Sequence, residues 1–394
     1  MNTVRTVLRG SAAAVLAFGS SGGVLPTPAG AVTTTSTPVV VLESLGGSAY
    51  PNALNEHDLV AGIAYLGDGS ARAVRWDRRG RITRLGRLSG ETSSTAVDLN
   101  DAGTAVGTSA GENGHTRAVR WARDGTVADL GTLPGEVDST ARVINDRGTV
   151  IGEAGNGLSP GPGVLWDATG AITEISPRAT LSGLNNLDVV VGNEGAVARK
   201  WDRHGGRLPL DRLPDEAWSV ARGINDRGTA FGYAGTADGR QYTVRWDSEG
   251  RVAVLRDLRD STRSTPVEID SHDEIAGFAV VSGPEGFSHA VRWDENGRAR
   301  DLGTLGGRQS MSNDINDEGT VVGWADVSPR SFESHAVRWS RTGRASDLGT
   351  LPGATSSTAA QINNRGTITG WATTADHSRA VLWPTVRPRS ETTP

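Results

Sequence analysis

The chain has 394 residues, of which 40 are basic and 45 acidic, giving a formal net charge of −5. This balance argues against nucleic-acid binding, which calls for a clustered basic face. The chain has no cysteine. Disulfides are therefore excluded, and stability outside a cell would have to come from packing.

The first 31 residues have the pattern of a secretory signal. Arg5 and Arg9 precede a modest apolar run over 12–18, and Ala29-Gly30-Ala31 fits the small-residue cleavage site. The apolar run is much shorter than the roughly 20 residues that span a bilayer. We therefore expect cleavage after Ala31, secretion to the extracellular space and no membrane insertion. A Thr/Ser-rich spacer (32–38) follows, and 386–394 are predicted to be a disordered tail.

Between these ends, tryptophans recur with a nearly fixed period. Their spacings are 45, 45, 35, 45, 47, 46 and 44 residues. Fixed periods of this length are typical of solenoids, propellers and arrays. Eight units follow, and their closing tryptophans are Trp76, Trp121, Trp166, Trp201, Trp246, Trp293, Trp339 and Trp383.

Within one unit the pattern predicts four short strands. They cover 299–305, 312–315, 320–325 and 335–339, which are rich in β-branched and aromatic residues and separated by Gly, Asn, Asp and Ser. The turns Asn316-Asp317-Glu318-Gly319 and Asp294-Glu295-Asn296-Gly297 place glycine where a left-handed backbone is needed. Four strands in about 45 residues match the blade of a β-propeller.

The two ends of the repeat region predict closure into a ring. The chain opens with a lone strand over 40–45 and ends just after the strand at 380–383, so the last blade lacks one strand that the first segment can supply. We expect an all-β propeller over 39–385, with eight four-stranded blades and an N-terminal strand latch. Seven blades is the alternative, because the fourth unit is ten residues short and its Leu184-Asn185-Asn186 turn is degenerate.

The repeated motifs carry a family resemblance. The patterns Asp-Leu-Gly-Thr-Leu-Pro-Gly, Ile-Asn-Asp-x-Gly-Thr-Val-Ile-Gly and His-Ala-Val-Arg-Trp resemble the HAF-repeat family of bacterial extracellular proteins. This chain has Val where that family often has Phe, and His directly precedes Ala only at His289 and His335. The resemblance implies a secreted repeat protein and carries over no catalytic residue.

Several motifs invite a chemical interpretation, and for each we favour a structural one. Residues 107–111 fit G-x-S-x-G, but that motif needs a strand-to-helix turn. The Asn-Asp turns offer too few oxygens for calcium. Histidines before the closing tryptophans keep fixed repeat positions, and the arginine before each tryptophan is expected to pair with strand aspartates such as Asp129, Asp301 and Asp347. We expect no metal and no cofactor.

One repeat position divides the units chemically. The residue after the glycine of the second strand is Ile63, Thr108, Glu153 and Asn193 in the first four units. It is aromatic in the last four: Tyr233, Phe278, Trp324 and Trp371. Because an unpaired buried charge is costly, the polar occupants suggest a position near a face. The four aromatics are therefore candidate ligand-binding residues, although packing of larger side chains is the alternative.

Two functions remain open at this point. A secreted, monomeric and non-catalytic propeller could bind a glycan, a cell-wall component or a protein. A polysaccharide hydrolase or lyase on the same scaffold is the alternative, with a carboxylate pair drawn from Glu153, Asp215, Glu216 and Glu274. Catalytic sites need a few singular, convergent residues, whereas most residues here follow the repeat. The sequence therefore favours binding.

Overall fold

The structure is a computed structural model that describes residues 33–34, 38–156, 161–281, 286–331 and 333–385. The predicted signal segment, most of the spacer and the predicted tail lie outside these residues. Across the described part of the chain, eight antiparallel four-stranded blades form a ring, with blades 7 and 8 joined into one sheet by a parallel bridge between β29 and β31, which confirms the predicted fold class and blade count.

Each of the first four blades is a meander of four consecutive strands. Blade 1 comprises β3 (Gly46–Leu54), β4 (Val60–Leu66), β5 (Ala71–Trp76) and β6 (Ile82–Arg84); blade 2, β7 (Glu91–Leu99), β8 (Ala105–Gly111), β9 (Thr116–Trp121) and β10 (Val127–Asp129); blade 3, β11 (Asp138–Ile144), β12 (Val150–Gly155), β13 (Gly163–Trp166) and β14 (Ile172–Ser176); and blade 4, β15 (Ala179–Leu184), β16 (Val190–Glu194), β17 (Val197–Trp201) and β18 (Arg207–Leu208).

Blades 5 to 7 repeat this pattern, and blade 8 takes its fourth strand from the start of the chain. Blade 5 comprises β19 (Glu216–Ile224), β20 (Ala230–Thr236), β21 (Gln241–Trp246) and β22 (Val252–Val254); blade 6, β23 (Ser261–Ile269), β24 (Ile275–Val281), β25 (Ser288–Trp293) and β26 (Ala299–Asp301); blade 7, β27 (Ser310–Ile315), β28 (Val321–Asp326), β29 (Ser334–Trp339) and β30 (Ala345–Gly349); and blade 8, β31 (Ala354–Ile362), β32 (Ile368–Thr374), β33 (Ser378–Trp383) and β2 (Val40–Val41), while β1 (Thr33–Thr34) lies parallel to β30.

The short fourth unit is a complete blade. Part of its length difference lies in the connection before it, since β14 ends at Ser176 and β15 begins at Ala179, and the rest lies in the shorter hairpin from β16 to β17. The corresponding connection from β10 to β11 runs from Asp129 to Asp138. The alternative of seven blades is therefore wrong, because the fourth unit keeps all four strands in a sheet of its own.

Strand β2 closes the ring as the predicted latch. It pairs antiparallel with β33, and the Leu42 amide donates to the Ala380 carbonyl at 2.9 Å. The equivalent bond inside blade 2 joins the Leu130 amide to the Ala118 carbonyl at 3.0 Å. Leu42 is 2% exposed, so it packs as the leucines that follow the other fourth strands do.

The closing tryptophans form the core between blades. All eight are at most 2% exposed. Trp121 of blade 2 packs in one cluster with Ala53, Ala61 and Ala73 of blade 1. Its Nε1 donates to the Gly86 carbonyl beyond the fourth strand of blade 1 at 2.7 Å. Trp76 makes the same bond to the Glu43 carbonyl, which again places the N-terminal segment in the role of a fourth strand.

The first strands of neighbouring blades contact one another around the ring and so lie nearest its axis. Each carries a β-bulge, such as the one between Ala96 and Asp98, and bulges increase local twist. Beside this bulge the second strand can approach the first strand closely because the residue of the second strand is a glycine. A Cβ added to Gly107 would overlap the Thr95 carbonyl oxygen. The glycine that recurs in every second strand, just before the position that is aromatic in the last four units, is thus a steric requirement.

The turns between first and second strands join the blades through what we call the amide ring. The asparagine at each turn accepts main-chain N–H groups of its own turn through Oδ1, as predicted for turn chemistry. Its Nδ2 donates to the carbonyl of the equivalent residue in the next blade, at 2.9 to 3.1 Å. The seven asparagines are Asn55, Asn100, Asn145, Asn185, Asn225, Asn316 and Asn363, and Asp270 takes the same place in blade 6.

Candidate functional site

Three tryptophans do not belong to the closing set, and their burial differs sharply from it. Trp218, Trp324 and Trp371 are half-buried, whereas the eight closing tryptophans are fully enclosed. Trp218 lies in the first strand of blade 5, and the other two lie in the second strands of blades 7 and 8. A half-exposed tryptophan that the scaffold does not require is a candidate contact for a ligand.

The half-buried aromatic residues are distributed unevenly among the blades. Residues 91–215, which hold blades 2 to 4, contain no aromatic residue besides three closing tryptophans. Every half-buried aromatic side chain of the described residues lies in blades 5 to 8 or in blade 1: Tyr50, Tyr65, Trp218, Tyr233, Tyr242, Phe278, Phe287, Trp324 and Trp371. Because blade 8 adjoins blade 1, this set occupies five consecutive blades.

The four predicted ligand-binding residues occupy one equivalent position on adjacent blades. Tyr233, Phe278, Trp324 and Trp371 lie mid-way along the second strands, and all are half-buried. Each stands opposite a residue of its own first strand: Val220, Thr265, Met311 and Thr358 in the same order. The position is neither in the core nor fully exposed. Whether these residues bind a ligand stays a prediction.

Tyr50 extends the row across the junction of blades 8 and 1. Its ring packs edge-to-face on Trp371, with centroids 6.0 Å apart and planes at 73°. Tyr65 also packs edge-to-face with Tyr50, with centroids 6.5 Å apart. Tyr233, Phe278, Trp324, Trp371 and Tyr50 are called the aromatic arc below. Sequence reasoning missed Tyr50 because its closeness to Trp371 depends on ring closure.

Trp218 borders the arc at its other end. Its ring meets that of Tyr233 edge-to-face at 5.7 Å within blade 5. The sequence does hold a signal for this residue, since it is one of the three tryptophans that do not follow the repeat period. Geometries of this kind are favoured for aromatic pairs because the positive edge of one ring meets the negative face of the other. Edge-to-face contacts therefore pack the aromatic rings together at both ends of the arc.

In blades 3 and 4 the equivalent position is polar, and its side chains have partners. Glu153 pairs with Arg142 of the first strand of its own blade at 2.8 Å. Asn193 donates from Nδ2 to the Ser219 carbonyl of blade 5 at 2.7 Å. These bonds explain how a half-buried position accommodates a charge and an amide. The polar occupants therefore do not by themselves require a position at the surface.

The arginine before the closing tryptophan does bond between blades, but the predicted aspartate partners are wrong. Arg245 donates to the carbonyls of Asp273 and Glu295 in the next blade, both at 3.0 Å. Lys200, the lone lysine of the chain, takes the same place and donates to the Gly228 and Ser248 carbonyls. Burial lowers the pKa of Lys200. The cations satisfy turn carbonyls and leave the strand aspartates to other partners.

Those strand aspartates bond the histidines that precede the tryptophans. His289 Nδ1 lies 2.8 Å from Asp301, and His335 Nδ1 lies 2.9 Å from Asp347. In blade 2 Arg117 takes the place of the histidine and pairs with Asp129. The hydrogen bond that His335 donates to Asp347 raises the pKa of His335 despite partial burial. The histidine of the repeat thus joins the third strand to the fourth within a blade.

The other motifs considered for chemistry are part of the scaffold. Residues 107–111 lie inside strand β8, and Ser109 is fully buried, so this is no nucleophile elbow. Glu153, Glu216 and Glu274 lie on three different blades and each pairs with an arginine. The described residues hold no group of three or more His, Asp or Glu arranged to bind a metal.

A second ring of hydrogen bonds lies one residue further along each turn and involves mainly acidic side chains. In most blades the main-chain N–H of the residue after the asparagine donates to the side chain of its counterpart in the next blade. Asp101 Oδ1 accepts from Glu56, and Asp146 Oδ1 accepts from Asp101, both at 2.9 Å. Burial and the charges of Asp146 and Asp317 raise the pKa of Asp226, against hydrogen bonds from Asn186 that lower it. These carboxylates serve the joints between blades.

Comparison with known proteins supports the fold and leaves the activity open. No family model and no curated protein matches the chain. Among solved structures, dipeptidyl peptidase 4 of Porphyromonas gingivalis aligns with a TM-score of 0.55 and 11% identity, over 84% of this chain and 56% of that protein. A puromycin hydrolase (TM-score 0.47, 14% identity) covers 92% of this chain and 64% of its own length. A streptogramin B lyase (0.43, 12%) covers 87% and 96%.

The likeness to the peptidase, at 11% identity, shows a shared fold alone. The chain spans little more than half the length of the peptidase, so the activity named for that protein is not transferred. Within the described residues no helix has the length and apolar character needed to cross a bilayer.

Proposed function

We propose that the chain is a secreted, monomeric, non-catalytic propeller of the HAF-repeat type that binds a neutral polysaccharide through the aromatic arc. The proposal includes export and cleavage after Ala31, on the grounds of the N-terminal sequence pattern. A single observation carries it. Among the described residues, the half-buried aromatic side chains all lie in five consecutive blades.

The arc suits sugar rings because it alternates flat apolar faces with small polar groups. Thr265 stands beside Phe278 in the sheet register, and Thr358 stands beside Trp371. An aromatic ring can stack on the C–H face of a sugar, while hydroxyl groups exchange hydrogen bonds with its rim. One aromatic residue on each of several adjacent blades would let an extended polysaccharide chain contact more than one ring.

The absence of charge at these positions favours a neutral ligand. The four pairs at this position in blades 5 to 8 are Val220 with Tyr233, Thr265 with Phe278, Met311 with Trp324 and Thr358 with Trp371. None carries a charge, whereas blade 3 has Glu153 at the same place. A charged sugar would lose hydration at the arc without meeting a counter-charge from these pairs. Neutral chains are therefore the better fit.

The experiment replaces Trp324 and Trp371 with alanine, singly and together, and measures retention on cellulose, chitin and other insoluble polysaccharides. Each loss of a stacking ring should weaken binding about tenfold, or about 1.4 kcal/mol. Thr108→Ala is the matched control, since it truncates the same repeat position in a blade outside the arc. It should bind as the wild type does.

Folding is measured separately, because a fully buried tryptophan would lower stability by about 3–5 kcal/mol on truncation. A loss of that size would make Trp324 or Trp371 a core residue and refute the proposal. Equal retention of Trp324→Ala and wild type would refute it as well. Reducing ends released from any of the polysaccharides would instead identify the chain as a hydrolase or lyase.

A further inference from the structure

The amide ring has one member of different chemistry. Seven members are asparagines, and each Nδ2 donates a hydrogen bond to the next blade. The eighth is Asp270, at the junction of blades 6 and 7. An ionised carboxylate has no hydrogen to donate. With Asp270 ionised, the ring of hydrogen bonds would therefore lack its bond between blades 6 and 7.

The geometry of Asp270 nevertheless matches that of an asparagine. Its Oδ1 accepts the amides of His272 and Glu274, each at 2.8 Å. In Asn316 of the next blade, Oδ1 accepts the amides of Glu318 and Thr320 in the same two positions. Because these bonds fix the plane of the carboxyl group, Oδ2 of Asp270 stands where the donating Nδ2 stands in the other seven blades.

That second oxygen is buried and has no hydrogen-bond partner as an acceptor. Asp270 is 1% exposed, and its Oδ2 lies out of contact with solvent. By equivalence with the other blades, Oδ2 faces the main-chain carbonyl of Asn316, which is itself an acceptor. Two acceptors without a hydrogen between them repel each other, and an unpartnered buried carboxylate is strongly unfavourable. A proton on Oδ2 removes both problems.

We propose that Asp270 is a neutral carboxylic acid whose O–H donates to the Asn316 carbonyl, so that the amide ring closes at blades 6 and 7 only when this proton is present. The joint is then a pH-sensitive element in the fold. Phe278 of blade 6 and Trp324 of blade 7 belong to the aromatic arc and lie on either side of it. The proposal does not depend on the function assigned to the arc.

The charged groups around Asp270 agree with a bound proton. Burial raises the pKa of Asp270 to about 7, and the charges of Glu274 and Asp317 add to this rise, against the two amide hydrogen bonds that lower it. Arg292 is the facing cation, but it also lies 3.7 Å from Glu274, and Arg341 pairs with Glu274 at 2.7 Å. On the blade 5 side, Asn225 donates to the Asp270 carbonyl and Arg227 lies 3.7 Å from Asp273.

The direction of the pH effect follows from linkage. The ordinary pKa of an aspartate is 3.8, and folding raises that of Asp270 to about 7. Between these values the folded state holds a proton that the unfolded state has released, so the folded state loses stability as pH rises. Below this window both states are protonated and the ring is closed. Above it both are ionised and the stabilisation is gone.

The test compares the wild type with Asp270→Asn, which supplies a permanent amide donor. The unfolding equilibrium of both proteins is measured in urea from pH 4 to pH 9 at constant ionic strength. The variant should match the wild type near pH 4 and gain on it by up to about tenfold in the equilibrium constant per pH unit toward pH 7. Above that the advantage should stay constant. Titrations of other groups cancel in the difference between the two proteins.

A second variant guards against a folding defect in the first. Asn100→Asp places a carboxyl group at another ring position, where the asparagine donates only to the Asn145 carbonyl. It should add a new loss of stability with rising pH. Infrared difference spectra of the wild type should also show a protonated carboxyl band that vanishes on titration through pH 7 and is missing in Asp270→Asn.

Three results would overturn the proposal. One is a difference between wild type and Asp270→Asn that does not vary with pH. Another is an Asp270→Asn protein that is less stable at every pH, and the third is an Asn100→Asp loss of stability that is independent of pH. Each readout uses the unliganded protein, so failure here is distinguishable from failure of polysaccharide binding.

Discussion

The latch formed by β2 offers the sharpest test of how the ring is held together. Leu42 is 2% exposed and packs with Ala380 and Leu382 of blade 8 and Trp76 of blade 1. Truncating a buried leucine to alanine lowers stability by about 2–5 kcal/mol. Leu42→Ala should show a loss in this range even though the residue lies near the chain terminus.

Deleting residues 39–43 should have a larger effect, because hydrogen bonds are lost as well. The Glu43 carbonyl accepts from Trp76 Nε1 at 2.7 Å, and the Glu43 carboxylate accepts from the Ile82 amide at 2.9 Å. A buried donor left without a partner destabilises by about 1–3 kcal/mol. Together with Leu42 this gives roughly 5 kcal/mol, a large share of the 5–15 kcal/mol that stabilises a typical fold.

The assay is urea unfolding followed by tryptophan fluorescence, with Leu130→Ala as the matched control. Leu130 makes the same main-chain bond inside blade 2 and is 6% exposed. If the latch packs as a continuous strand does, Leu42→Ala and Leu130→Ala should lose similar free energy. A deletion variant that unfolds at the wild-type urea concentration, or a Leu42→Ala variant far less affected than Leu130→Ala, would refute the latch.

Two further predictions concern the repeat positions. Trp246 Nε1 donates to the Asp211 carbonyl at 2.8 Å, whereas Trp166 Nε1 is buried without an acceptor, and both rings are fully buried. Trp246→Phe should therefore lower the free energy of unfolding by about 1 kcal/mol more than Trp166→Phe, and equal losses would contradict this. The hydrogen bond that His335 donates to Asp347 raises the pKa of His335, so its stabilisation is present below the ordinary pKa of 6.5 and lost as pH rises through the higher folded value. His335→Ala should accordingly lose about 1 kcal/mol more at pH 6 than at pH 9, and a loss of equal size at both would argue against the ion pair.

The sequence by itself determined the class of fold and the way the ring closes, and it favoured eight blades over seven. These features rest on local rules that every repeat obeys. Gly319 and Gly297 have positive φ values of 69° and 71°, as predicted from their turns. The lone first strand could be recognised as a latch because the last repeat lacked its partner. Eight copies of one pattern made each of these inferences far stronger than a single copy would have done.

Only the tertiary structure decided which side chains meet between blades. The sequence predicted Asn225 as a turn residue, but not its bond to the carbonyl of Asp270 in the next blade. The aspartates expected beside Arg245 are replaced by turn carbonyls, because its long side chain reaches across the gap to the next blade. Such contacts depend on the angle and distance at which neighbouring sheets pack, and local propensity does not encode them.

The aromatic arc likewise contains residues that the sequence identified and one that only the structure identified. Tyr233, Phe278, Trp324 and Trp371 were identified from their repeat position alone. Tyr50 joined them only when closure of the ring brought blade 1 against blade 8 and set its ring 6.0 Å from that of Trp371. The periodicity of a chain shows which positions are equivalent, but closure determines which of them become neighbours, because it joins segments from opposite ends of the sequence.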